Sequence, residues 1–183
     1  MPRHFLALAF LLVGVSSAAV AQHDGGYAEF RNRDIKALSA QQVDDLRQGR
    51  GMGLSLPAEL NGAPGPLHVL QLRDQMNVTP AQASEVERIR DEMTSAAQRL
   101  GASVIQAEAE LDGGFKSGAA DEASIRSMTA RIGALNAELR AAHLTAHLKT
   151  RRLLTVTQLA AYNTARGYTA HESSAASPSG HRH

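Results

Sequence analysis

The chain has 183 residues, 19 Lys and Arg against 18 Asp and Glu, and neither cysteine nor tryptophan. A balance so close to neutral argues against nucleic-acid binding, which needs a basic face to displace counterions from phosphates. Without a thiol there is no disulfide framework, no thiolate metal site and no cysteine nucleophile. The length fits one domain. Aromatics make up only 4% of the residues, so few large side chains are present to fill a globular core. Alanine is abundant, which suits thin helical hairpins better than sheets.

Arg3 and His4 precede an apolar run, Phe5 to Val15, and the small residues that follow end in Ala19-Val20-Ala21. This is the order of a secretory signal peptide. An uncleaved anchor is the alternative, but the run is shorter than the roughly 20 residues that a span requires. Cleavage is expected after Ala21, with export to the periplasm. Losing Arg3 leaves 18 charges of each sign. No second long apolar stretch follows, so no membrane span is expected after cleavage.

From Gln22 to about Arg33 the sequence is polar and glycine-bearing. Ser39 with Gln42 reads as a capping box opening a short helix, which Gly49, Gly51 and Gly53 should end. Residues 54–66 hold three prolines and two glycines. They read as an irregular strap with one helical turn near Ala58 to Leu60, its Leu54, Leu56 and Leu60 lying against something apolar. Residues 22–66 are thus expected to be a flexible N-terminal segment. Pro66 suits the first position of a short helix reaching Met76.

Thr79-Pro80-Ala81-Gln82 is a strong helix start. The stripe Val86, Ile89, Met93, Ala96, Leu100, Val104, Ala107 and Leu111 predicts an amphipathic helix to about Asp112, a rod of roughly 45 Å. Gly113-Gly114 is expected to stop it, with Phe115 folded back as a plug at the tip. Asp121 caps a second helix with the stripe Ile125, Met128, Ile132, Leu135, Leu139, Ala142 and Ala146. Two such stripes joined by a short turn predict an antiparallel helical hairpin. Leu144, Leu148, Leu153 and Leu154 add a second apolar face that needs a partner: the 67–76 helix, the strap or a second subunit. Thr155 with Gln158 opens a last helix to about Arg166, ended by Gly167. The Ser-, Ala- and His-rich tail, 169–183, is expected to be disordered. The fold class is all-α, and the thin core calls for a homodimer.

Each TxxQ box by itself only caps a helix. Two boxes at equivalent ends of a hairpin, behind a signal peptide, are more specific. Leu154, Thr155 and Gln158 form one complete LTxxQ motif; Thr79 and Gln82, led by Val78, form the other. On these residues the chain resembles the periplasmic LTxxQ family that includes Spy and CpxP, over about Leu67 to Tyr168. The resemblance implies a four-helix subunit, often an antiparallel dimer with a cradle-like surface. It also implies ATP-independent holding of unfolded periplasmic chains, damping of an envelope-stress sensor, or a metal response.

His143 and His147 stand one helical turn apart and can share a divalent ion such as zinc, copper or nickel. Residues one turn away on that helix supply no carboxylate. Further ligands would have to come from His68, from His171, His181 or His183 in the tail, or from another subunit. The ordinary packing alternative is that both rings cover the apolar seam with their polar edges wet. Arg151 and Arg152 complement a helix end, and the mixed charges of Glu85 to Glu92 read as a solvated face. There is no nucleophile–base pair, phosphate loop or HExxH motif, so no enzyme is expected. The expected function is holding unfolded clients, with Leu144, Leu148 and the strap as the client surface. The alternative is a metal-binding or metal-sensing regulator of an envelope-stress pathway.

Overall fold

A computed structural model describes residues 27–168. The signal peptide and the tail histidines lie outside the described residues. Residues up to Asn32 form a unit of their own, of which a 3-10 turn, Ala28–Asn32, is described. From Arg33 to Tyr168 the described residues form one compact unit whose regular elements are all helices. It contains α1 (Ala40–Gln48), α2 (Leu56–Glu59), α3 (Pro66–Gln71), α4 (Pro80–Ser117), α5 (Glu122–Leu153) and α6 (Val156–Arg166). No described helix is long and apolar enough to cross a membrane.

The start signals read from sequence act as caps. Ser39, Thr79, Asp121 and Thr155 each accept the N–H of the residue three positions on, and the side chain of that residue bonds back to the cap backbone. Each box satisfies two backbone donors that the first helical turn leaves unpaired. Gly49, Gly118 and Gly167 end α1, α4 and α6 in the left-handed conformation.

Three expectations require correction. Gly113-Gly114 does not stop the first rod: α4 runs through both to Ser117 and ends at Gly118, φ 71°. A helical glycine costs about 1 kcal/mol but breaks no hydrogen bond. Here the Asp112–Lys116 ion pair at 2.6 Å spans the two glycines. The rod is therefore longer than expected, about 57 Å at 1.5 Å per residue. Phe115 does not plug the tip, since its ring is largely exposed. The 67–76 helix is also shorter than expected. α3 ends at Gln71, and turns carry the chain to Asn77, whose φ is 50°.

The core has two parts. At the hairpin base Val69, Met76, Val86, Leu154 and Tyr162 pack together, with Val78 and Leu153 against them. Further along, Leu46 of α1 packs onto α4 in one buried cluster with Ala97 and Val104, which Leu139 of α5 joins. Toward the tip, Ile125, Met128 and Ile132 are only half-buried. Of the second apolar face, Leu153 and Leu154 join the base core, Leu144 is half-buried and Leu148 is half-exposed.

Gly113→Ala/Gly114→Ala tests the continuity of α4. No side chain crowds Gly113, and a Cβ at Gly114 would sit 3.7 Å from that of Ala120. The double variant should gain up to about 1 kcal/mol per site in urea denaturation. Destabilisation would mean that the pair is a turn.

Candidate functional site

The two LTxxQ boxes do more than cap. The Gln82 amide donates to Gln158 Oε1 at 3.0 Å, and the Gln158 amide donates back to Gln82 Oε1 at 2.9 Å. Each also donates to a backbone carbonyl across the base: Gln82 to Leu153 at 2.6 Å, Gln158 to Asn77 at 3.1 Å. Each side-chain oxygen further accepts the N–H of its own cap, Thr79 or Thr155, at 3.0 Å. Both donors and both acceptor sites of each amide are thus used. The pair ties the start of α4 to the α5–α6 corner, while Val78 and Leu154, the leading motif positions, enter the base core.

The second constellation centres on Glu59, a residue that the sequence reading did not single out. It sits on α2 within the strap and is buried. Its carboxyl accepts the Gly65 N–H at 3.0 Å, the Tyr168 hydroxyl at 3.2 Å and a short hydrogen bond from the Tyr162 hydroxyl. His68 Nδ1 lies 3.5 Å away, His147 Nδ1 3.7 Å and Arg166 Nε 3.7 Å. A buried carboxyl costs several kcal/mol unless partnered, and α3, α5, α6 and the strap all supply partners. The available signal was a lone acid among strap leucines. Searching one turn along α5 could not find it, because Glu59 comes from 84 to 88 positions earlier in the chain than the two histidines.

The structure also corrects the wet-edge reading of the histidine pair: His143 is 3% exposed and His147 6%. His147 Nδ1 lies 2.8 Å from the Ala63 carbonyl oxygen. A carbonyl only accepts, so Nδ1 carries the hydrogen and donates. Gly65 permits this fit, since a Cβ there would sit 3.0 Å from the His147 ring. His143 faces Gly51, where a Cβ would lie 3.7 Å from Nδ1. Its Nε2 is buried with no hydrogen-bond partner among the described residues. Burial, then the neighbouring His147, lowers the His143 pKa below the ordinary imidazole value. For His68 burial again acts first and the Arg166 guanidinium second, also downward. The Tyr162 hydroxyl is pushed up by burial and then by its bond to Glu59.

These histidines line one side of a cavity of about 530 Å³, with Arg90 and Met93 of α4, Arg166, Tyr168, the glycine-rich 48–53 loop and Leu67 around it. Among the described residues no three His, Asp or Glu side chains converge closely enough to hold a metal ion. His147 Nδ1 is committed to a carbonyl and His143 Nε2 is enclosed. As placed, the groups do not fit zinc, copper or nickel coordination. His68 meets Glu59; His171, His181 and His183 lie outside the described residues.

A family model described as LTXXQ motif family protein matches residues 67–166. The chain belongs to that family, whose members are typically periplasmic and generally not enzymes. The match begins at α3, leaving α1 and the strap outside it. Neither a curated protein nor a solved structure matched the chain.

Two outcomes follow. Thr79→Ala should cost about 1 kcal/mol. Gln82→Ala should cost more, because it removes the donor to the Leu153 carbonyl and takes one donor and one acceptor from the Gln158 amide, at up to about 1–3 kcal/mol for each partly buried group left unsatisfied. Gln82→Ala/Gln158→Ala should cost less than the sum of the single variants. Additive costs in urea denaturation would contradict the interlock. For His143, a lowered folded pKa means that its contribution to stability is fully present above the unfolded value of about 6.5. That contribution is lost as pH falls through the lowered folded value. Denaturation midpoints should drop below pH 6.5, and His143→Leu should flatten part of that drop. An unchanged profile in the variant would rule out the buried ring as its source.

Proposed function

We propose that this chain is a non-enzymatic periplasmic stress protein, a homodimeric holdase that binds unfolded client chains through apolar side chains around the histidine cavity. The observation that carries the reading is the mouth of that cavity. Met52, Leu56 and Leu67 line it while remaining 43%, 52% and 49% exposed. Leu148 on α5 is similarly exposed. Isolated exposed leucines are ordinary, whereas several around one concavity mark an interaction surface. Family membership supports the periplasmic stress setting. The interlocked hairpin base supplies a firm scaffold for a surface of flexible aliphatic side chains, which can repack around varied clients.

The metal-sensing alternative needs a ligand set beyond His143 and His147, from the tail or a second subunit. One experiment separates the readings. Full-length mature protein, Leu56→Ser/Leu67→Ser and His143→Ala/His147→Ala are each tested against aggregation of a reduced, unfolded client by light scattering. Zinc, copper and nickel are titrated in parallel. Holding should weaken several-fold in the leucine variant and survive both the histidine substitutions and chelation. Tight stoichiometric metal uptake lost in the histidine variant, with no protein suppressing aggregation, would replace the holdase with a metal sensor. Sedimentation showing only monomer at micromolar concentration would remove the dimer.

A further inference from the structure

We propose that the seam between α4 and α5 is a helix-binding groove for amphipathic client segments, and that α1 is its resident occupant, displaced when a client binds. This rests on the holdase reading and identifies a larger surface beneath the part of the chain that carries the apolar rim.

α1 satisfies its own polar groups. Ser39 and Gln42 close its first turn, Gln41 bonds Asp45 at 2.8 Å, Arg50 pairs with Asp44 and Asp45, and Gly49 closes its end. What it gives the hairpin is an apolar edge. Leu46 is buried against Ala97, Val104 and Leu139, with Leu38 and Leu54 packed beside it. The backbones also approach closely. A Cβ on Gly101 would run into the Leu46 carbonyl, whose Cα would lie 3.2 Å away, and one on Gly49 would lie 3.2 Å from the Ala97 Cβ. A short self-capped helix with a leucine anchor in a groove floored by small residues is how one chain captures an amphipathic helix from another. This occupant lies outside the family match, whereas the groove lies within it. The matching partner is a short helix-forming stretch of unfolded chain with leucine-like anchors one or two turns apart. Such a stretch would meet the exposed Met52 of the 48–53 loop and Leu56 of the strap before reaching the groove.

The test uses the full mature chain and a labelled peptide copying Lys36–Arg50, with anisotropy for binding and light scattering for holding. Leu46→Asp withdraws the anchor but leaves the groove intact. It should bind the peptide about tenfold more tightly than wild type, because a competing occupant lowers apparent affinity by the fraction of open protein, and it should hold client better. Adding Gly101→Ala, which favours the helix yet blocks close approach, should abolish both gains. Because the chain lacks cysteine, Gly49→Cys/Ala97→Cys is a clean tether. Oxidised, it should bind neither peptide nor client through the groove. Reduced, it should regain both, helped by the left-handed backbone at residue 49, φ 66°, which disfavours a side chain. This pair of states tests the proposal at constant sequence even if Leu46→Asp folds poorly. Equal client holding by wild type, Leu46→Asp and both tether states, with no peptide binding, would overturn the groove and leave the holdase standing. Peptide binding that opens with Leu46→Asp and closes with the tether, without holding by any form, would support the groove and remove the holdase.

Discussion

The structure hangs on a pair of glutamine amides. Gln82 and Gln158, 76 positions apart, exchange two hydrogen bonds, and each also bonds the backbone of the opposite side. A long two-helix rod with half-buried residues toward its tip has little to fix its register. An amide pair tolerates little sliding, because a shift of one residue would break four partly buried hydrogen bonds. With the base set, Val86, Leu154 and Tyr162 meet in one cluster, and the distant positions along α4 and α5 come into register.

That register determines where the histidines go. Once α5 is fixed, His143, His147 and Thr150 are buried, with His147 against the strap at Ala63 and Gly65 and His143 facing Gly51. The strap then has to bring polar partners with it. Glu59, Gly65 and the Ala63 carbonyl do so, while Tyr162, Tyr168 and Arg166 complete the set from the C-terminal side. The result is a polar cluster that fastens the strap at one end, beside an apolar contact that fastens α1 at the other. The Nε2 of His143 is buried without a hydrogen-bond partner among the described residues. A buried imidazole nitrogen without a protein partner makes its burial less favourable than the buried area alone would suggest.

Residues outside the family match thus change what the family hairpin presents. The α4–α5 seam is covered from Ala97 to Val104 by α1, and the cavity mouth is edged by Met52 and Leu56 rather than by the hairpin alone. Both features come from chain that precedes α3.

Much of the fold was legible in the sequence because its causes are local. The capping boxes at Ser39, Thr79 and Thr155 and the cap at Asp121 were read correctly, since a cap needs only residues three positions apart. The hairpin stripes were readable because helical period is a property of neighbours. The Gly113-Gly114 stop was misread because a glycine's helix penalty is small and its surroundings decide the conformation. The two motifs were visible as pairs of letters, but their mutual bonding was not, because it joins positions 76 apart. The histidine pair was found by spacing; its burial, and the carboxyl of Glu59 beside His147, were not. Only tertiary structure could supply these, because the strap's path over α5 is set by the summed packing of Leu46, Leu54, Pro66 and Val69 and not by any local signal around Glu59.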